Sequence, residues 1–403
     1  MTRLNRLVRL FQRTLVYVVL SVSAMAMLFP FLVMLFTSFK VVQDTFRFPP
    51  TLLPHAQELV TLEGYDEPLP VFQVEVDGQN RGYALIENNV PAGRFVDPYH
   101  PVAEDEELVL PLEQVRPTGT SVTIGGEEAP LVTAEVDGQT VTLAQVGNTT
   151  LGRFADPTNL DEVAFQNVRT SQPVERLSYT LQNYDEVINL HRMSRSLTNT
   201  ALVTILVVVG QLATSVLGGY AFARLKFPGR DGIFLVYLGT IMIPFVVLII
   251  PLYQLMVMIG WVDRLAALII PWVFTAYGTF LMRQFFIQFP KEIEEAAVID
   301  GASRLAILMR ILLPASTPAL ATLTTFSFLY AWNSFFWPLV IINTGNTDNQ
   351  VLTLALSILG GRAADRPNLV LAGAAIAILP PMLIYIFAQR FFVESQTSSG
   401  VKG

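Results

Sequence analysis

Four residues on one apolar stretch, Tyr330, Trp332, Asn333 and Trp337, bring aromatic rings together with a neutral amide. Such a set suits a polyol, because rings stack on C–H faces while hydroxyl, amide and indole groups hydrogen-bond without charge. Taken singly, each is explained at least as well by helix packing or interfacial anchoring. Covalent chemistry has no comparable candidates. The 403 residues include no cysteine, which excludes thiolate nucleophiles, disulfides and zinc–thiolate sites. His55, His100 and His191 are far apart in sequence and read as surface or loop residues rather than a metal site. Neither a G-x-x-x-x-G-K-S/T phosphate loop nor G-x-S-x-G nor H-E-x-x-H occurs. The chain thus reads as a non-enzyme that binds no cofactor, metal or nucleotide of its own.

A second set of residues is mechanical. Residues 290–314, PKEIEEAAVIDGASRLAILMRILLP, interrupt long apolar segments with a short polar stretch. Pro290 suits the first turn of a helix, where its missing N–H is no loss, and Glu292, Glu294 and Glu295 follow where the helix dipole favours negative charge. Gly301 suits the left-handed residue that ends a helix, Ser303 the cap of a second helix, and Pro314 the start of a membrane span. A bent helix pair is expected. Ala296 and Ala297 would let another surface approach the first backbone closely, and Ile293, Val298, Ile299 and Leu305 offer apolar contact. Residue types alone fit an amphipathic hairpin at a membrane surface as well as a docking element.

Both sets need a membrane scaffold to position them. Hydrophobic residues make up 52% of the chain and charged ones 15%, a membrane-protein composition in which charge is unevenly divided. Residues 40–197 carry a net −14 and the remainder +7, so the overall −7 averages an acidic insert with a basic apolar part and implies no nucleic-acid partner. Uncharged runs fall at 14–39 and at about 198–223, 233–261, 265–282, 315–342 and 369–389. Each meets the roughly 17–25 residues that a bilayer span needs. Ala24-Met25-Ala26 could pass for a signal-peptidase site, but the first run continues well past it and reads as a retained helix.

Arg3, Arg6, Arg9 and Arg13 precede the first run, Arg224, Lys226 and Arg230 follow the second, and Arg283, Lys291, Arg304 and Arg310 lie between the fourth and fifth. Arg390 and Lys402 follow the sixth. This bias puts both termini and residues 290–314 in the cytoplasm. Pro244 and Pro251 in the third run and Pro380-Pro381 in the sixth are expected to break the helical ladder, as static kinks or as hinges. Residues 351–359 are apolar but too short to cross, and are expected to rest on the outer face. No Asp, Glu, Lys or Arg falls in any run, which argues against a proton-coupled carrier and favours an uncharged cargo.

Residues 51–177 differ, with Pro, Gly and Asp-Gly punctuation and strand-like alternation such as Val71-Phe72-Gln73-Val74-Glu75-Val76. Glu75-Val76-Asp77-Gly78-Gln79 recurs 60 residues later from Glu135 to Gln139, and Gly93-Arg94-Phe95-Val96-Asp97-Pro98 recurs 59 later as Gly152-Arg153-Phe154-Ala155-Asp156-Pro157. Two related β units are implied, each with an Asp-Gly hairpin. The second motif reads as an Arg–Asp pair bracing a turn over a buried Phe, with a ligand site as the alternative.

Glu295-Ala296-Ala297, three residues, Gly301, nine residues, Ile311, one residue and Leu313-Pro314 resemble, at every fixed position, the EAA loop of binding-protein-dependent ABC importers. The resemblance implies that Glu295, Ala296, Ala297, Asp300, Gly301 and Ala302 couple to a separate ATPase. Residues 181–200 (LQNYDEVINLHRMSRSLTNT), 219–229 (GYAFARLKFPG), 331–339 (AWNSFFWPL) and the tail 399–403 (SGVKG) are similar to the carbohydrate branch, in particular its smaller maltose-type permease subunit. It extends over 1–54 and 178–403 and implies type I importer permease architecture. It also implies a second permease subunit, two ABC ATPase subunits that bind ATP and magnesium, an extracytoplasmic solute-binding protein, and a tail contact with the ATPase through Val401, Lys402 and Gly403. The family usually has only a short loop where this chain has its insert.

The expectation is therefore an all-α polytopic protein of the bacterial inner membrane with six transmembrane helices and an inserted extracytoplasmic β domain. Its parts would be 1–50 with the first helix, 51–177 as the insert and 178–403 as the permease core, with the coupling loop at 290–314. Its function would be ATP-driven import of a sugar or related polyol. The alternatives are a polyamine or phosphate-ester importer, and a membrane-anchored scaffold that binds through its β domain.

Overall fold

The first uncharged run forms one helix, Arg3–Ser38, which continues through Ala24-Met25-Ala26 and Pro30. The structure, a computed structural model, describes residues 3–76, 79–99, 107–124, 126–136, 138–190 and 192–399. Two units divide the chain: a helical one of Met1–Leu52 with Thr180–Gly403, and an insert of Leu53–Tyr179. In the helical unit Arg9–Ser38, Met193–Arg224, Ala266–Gln288 and Pro367–Arg390 are long and apolar enough to cross a membrane. Over the third and fifth uncharged runs the structure has bent pairs, Arg230–Met242 with Phe245–Met258 at 98° and Arg304–Ala315 with Thr317–Ile341 at 81°.

The first bend falls at Ile243-Pro244, where proline drives the preceding residue into extended backbone (ψ 115°) and ends the turn before it. The second falls at Ser316, between Pro314 and Pro318. Pro251, Pro380 and Pro381, by contrast, lie inside continuous helices, so of the four prolines only Pro244 ends one. The apolar stretch at 351–359 forms the short helix Leu352–Arg362, whose Leu352, Leu354, Ala355 and Leu359 are buried in the core of the unit.

Close backbone approach holds the central helices. A Cβ at Gly219 would collide with Met282 and one at Gly278 with Ser215 Oγ, so Met193–Arg224 and Ala276–Gln288 meet where side chains are missing. Buried amides bridge segments distant in sequence. Asn183 Nδ2 donates to the carbonyls of Ser38 (2.8 Å) and Lys40 (2.9 Å), and Asn368 Nδ2 donates to Asn183 Oδ1 (2.8 Å), fastening the first helix to later ones.

The insert comprises β1 (His55–Gln57), β2 (Leu59–Val60), β3 (Leu69–Val76), β4 (Gln79–Val96), β5 (Leu108–Pro111), β6 (Val115–Ile124), β7 (Glu127–Val136), β8 (Gln139–Asp156), β9 (Asn159–Gln166), β10 (Gln172–Pro173) and β11 (Glu175–Leu177). β1 pairs with β11, and the antiparallel main sheet runs β10-β3-β4-β8-β7-β6, with β2 on β3, β5 on β4 and β9 on β8. The repeat is visible in the register. Val76 pairs with Gln79 and Val136 with Gln139, so each copy is a hairpin closed by two residues, with Gly138 at φ +74° in the second. The long strands β4 and β8 then pair antiparallel with each other, from Ala84↔Ala155 to Val96↔Ala144, which relates the copies by an approximate two-fold axis between them.

Across that axis the copies exchange aromatic rings. Phe95 of the first packs on Ala134 and Leu143 of the second, while Phe154 of the second packs on Val74 and Tyr83 of the first. Each ring also lies over the glycine two residues before it on the same face, leaving no room for a Cβ at Gly93 or Gly152. The expected Arg–Asp brace is absent. Arg94 pairs with Glu107, and Arg153 pairs with Glu113 and Glu87, whereas Asp97 accepts the Tyr99 N–H and Asp156 the N–H and hydroxyl of Thr158. An aspartate two residues before a backbone donor closes its own turn, and that local bond takes the carboxylate from the arginine.

Candidate functional site

The polar stretch folds as a helix, Lys291–Ile299, preceded by Pro290 and followed by a tight reversal. Gly301 has φ +82°, its N–H bonds the Val298 carbonyl (3.0 Å), and the Ala302 N–H reaches back to Ala297 (2.9 Å). This paired closure satisfies carbonyls that a helix end otherwise leaves open, and Ala297 and Ala302 pack into the same apolar cluster beside it. The Ser303 hydroxyl accepts the Ala306 N–H (3.3 Å) and caps the next helix, Arg304–Ile307.

Glu294 fixes the first helix to the bundle. Its carboxylate lies 3.4 Å from Arg224 Nε at the end of Met193–Arg224, and accepts from Arg304 Nη1 at 2.9 Å. Glu294 and Arg224 side chains are 8% and 4% exposed, whereas Arg304 is 59% exposed. Arg224 also donates to the Phe289 carbonyl just before the helix. A buried pair of this kind holds one geometry, because losing either partner strands a charge away from water. From local sequence Glu294 has only a dipole effect, because its i, i+10 relation to Arg304 and its separation of 70 residues from Arg224 carry no periodicity that would mark the pairing.

Of the expected coupling residues, Glu295, Ala296, Asp300 and Gly301 are exposed and Ala297 and Ala302 half-buried. Beside them Ile293, Val298, Ile299, Leu305 and Met309 are between 43% and 85% exposed, an apolar face on an otherwise polar hairpin. Val401, Lys402 and Gly403 lie outside the described residues.

Three of the four aromatic and amide candidates, Tyr330, Trp332 and Trp337, line one small cavity of about 20 Å³ together with Trp272, and Asn333 is not part of its lining. Trp332 is buried, stacks on Phe328 and gives its N–H to the Ala377 carbonyl (3.0 Å); Trp337 is buried and gives its N–H to Ala267 (2.9 Å). Asn333 bonds the Leu329 carbonyl of its own helix. Tyr330 alone of the four faces an open groove of about 770 Å³, with Gln211, Trp272, Thr275, Tyr277, Phe326 and Ser327 among its walls and no charged residue. Trp272 connects Phe245 to Tyr330 by ring contacts at 5.2 and 5.9 Å. Gln211 is held by Ser327, whose hydroxyl donates to Oε1 (2.6 Å), and by the Trp272 carbonyl, which accepts from Nε2 (2.8 Å). Helical spacing was the available signal for the groove: Phe326 and Ser327 lie four and three residues before Tyr330 and so share its face. Among the described residues no group of three or more His, Cys, Asp or Glu could hold a metal ion.

The pattern of the family described as binding-protein-dependent transport system inner membrane component matches residues 215–397, which include the hairpin. The chain is 37% identical over 205 residues to an arabinooligosaccharides transport system permease protein of Halalkalibacterium halodurans, covering 51% of this chain and 73% of that one. The chain belongs to this permease family. A second member, an sn-glycerol-3-phosphate transport system permease protein of Pectobacterium atrosepticum, is 34% identical over 203 residues, 50% of this chain and 72% of that one. Among solved structures, a bacterial ABC transporter involved in the import of the acidic polysaccharide alginate matches with 26% identity over 55% of this chain and 81% of that one, at a TM-score of 0.47. These permease relatives are transport subunits rather than enzymes. The insert, Leu53–Tyr179, lies outside the residues matched by the family pattern.

Proposed function

We propose that the chain is the membrane-spanning permease subunit of an ATP-driven importer for a neutral sugar or related polyol. The observation that carries this reading is the braced hairpin: an exposed apolar face between Ile293 and Leu305, rigidly tied through Glu294 to the end of a membrane-length helix. A force applied at that face moves Met193–Arg224 with it. Each bent pair then counts as one span, giving six, with both termini and the hairpin cytoplasmic and the insert outside the membrane. A second permease subunit completes the pathway, two ABC ATPase subunits supply ATP and magnesium chemistry, and a solute-binding protein delivers cargo. Glu295, Ala296, Ala297, Asp300, Gly301 and Ala302 form the docking edge, with Val401, Lys402 and Gly403 as a second contact to the ATPase.

The cargo follows from the uncharged groove around Tyr330 and Gln211, which offers rings and neutral hydrogen-bonding groups. An arabinooligosaccharide relative supports a saccharide; the glycerol-phosphate relative would lead one to expect a cation for the phosphate, and none lines this groove. Because the chain has no cysteine, a single Ile299→Cys probe on the exposed apolar face tests the assignment. Cross-linking in native membranes should capture an ABC-type ATPase identified by mass spectrometry, and failure to do so from folded, inserted chain would overturn the coupling role. Uptake should be inhibited by unlabelled sugars and not by polyamines or glycerol phosphate.

A further inference from the structure

The two copies in the insert differ by one residue, since the first motif recurs after 60 residues and the second after 59. The structure locates the surplus in β4: between Glu87↔Arg153 and Val90↔Leu151, Asn88 and Asn89 together oppose Gly152. Asn89 adopts φ +62°, a left-handed conformation that asparagine tolerates better than most residues. A bulge of this kind re-aims the side chains it carries. Beside it is a groove of about 600 Å³, within the ~300–1,000 Å³ typical of small-molecule sites. Asn88, Asn89, Asn148, Thr150, Asn167 and Arg169 line it, Leu151 and Val168 supply apolar surface, and no carboxylate is present.

Local bonds orient three of these amides. Asn88 Oδ1 accepts the Asn89 N–H (2.8 Å), Asn148 Oδ1 accepts Gln145 Nε2 (2.7 Å), and Asn167 Oδ1 accepts the Arg169 N–H (3.0 Å). Asn88, Asn89, Asn148, Asn167 and Arg169 are all exposed, so their amide and guanidinium N–H groups are accessible donors on the lining of one groove.

We infer that this groove binds a neutral oligosaccharide. Amide and guanidinium N–H groups donate to hydroxyl and ring oxygens, threonine hydroxyls donate or accept, and Leu151 and Val168 meet the C–H face of a sugar. The net −14 of residues 40–197 opposes an anionic ligand, and the amide lining opposes an apolar one. The site belongs to the insert and stands independently of the import reading. It is tested by calorimetric titration of the full chain in lipid nanodiscs with maltotriose, xylotriose and arabinotriose, with trigalacturonate as the acidic comparison. At least one neutral trimer should bind saturably, and Asn89→Asp and Arg169→Gln, both exposed substitutions that the backbone accommodates, should each weaken it at least tenfold. The assignment is overturned if no neutral trimer binds, if trigalacturonate binds tighter than all three, or if either variant weakens binding less than tenfold. Uptake measured in the same variants separates this site from the groove of the helical unit: import should persist when the insert site is lost.

Discussion

In the helical unit the elements meet where side chains are missing, at Gly219 and Gly278, whereas in the insert they are held by large rings that cross between copies, Phe95 and Phe154. The difference follows from the solvent each is built for. Lipid gains nothing when apolar surface is buried, so membrane helices rely on close packing and on polar ties such as Glu294–Arg224. Water rewards burial of aromatic area, and the insert spends its two motif phenylalanines on that. The units also use arginine differently. Arg224 is buried and bound to one carboxylate that fixes a helix, while Arg153 is more exposed and shares two carboxylates with little consequence for the fold.

Substitutions can break this contrast. Glu294→Leu strands Arg224 and should cost about 3–5 kcal/mol, against less than about 1 kcal/mol for Arg304→Ala on the exposed arm of the same cluster; denaturation of the purified chain measures both. Equal effects would remove Glu294 as the brace. Phe95→Ala and Phe154→Ala should each cost about 3–5 kcal/mol in the insert and melt it as one transition, because each ring completes the other copy's core. Two separate transitions would show that the copies fold independently.

Gly301→Asp should be milder for stability, about 1 kcal/mol, since the strain is confined to φ and a Cβ there meets nothing within 4 Å. Its effect on uptake should nevertheless be at least tenfold, with the chain still inserted; normal uptake would sink the coupling role. The smallest effect concerns Asp156, whose bonds from the Thr158 hydroxyl and N–H hold its carboxyl below the ordinary range. A depressed folded value contributes stability above the unfolded pKa near ~3.9, and that contribution disappears as pH falls through the folded value. Thr158→Val removes the hydroxyl bond and keeps the N–H, so it should partly flatten the acid limb of the insert's unfolding curve, and an unchanged limb would dismiss the hydroxyl bond as a cause.

Features set by neighbouring residues were readable from the chain. Gly301 takes the left-handed turn and Ser303 caps because both answer to hydrogen bonds within five residues. Proline left two outcomes open, and the structure has both: Pro244 ends a helix, whereas Pro251 and Pro380-Pro381 lie inside helices that continue past them, as membrane helices tolerate. The aromatic set was legible only in part, for a geometric reason. Tyr330, Trp332 and Trp337 meet at one small cavity, but Trp332 and Trp337 are buried there and only Tyr330 also reaches the open groove, a difference that spacing along the helix does not reveal. Arg94 and Asp97 were paired on proximity, and the aspartate's own turn proved the nearer partner.

By itself the sequence determined the apolar runs, the hairpin with its glycine and serine punctuation, and the duplication with its shift from 60 to 59, because composition, spacing and local hydrogen bonds suffice for these. Tertiary structure alone decided that Glu294 meets Arg224 across 70 residues, that Gln211 and Ser327 share a groove with Tyr330, and that each phenylalanine serves the other copy. Such contacts depend on how helices and strands pack against one another, and no short-range pattern along the chain encodes which distant faces will meet.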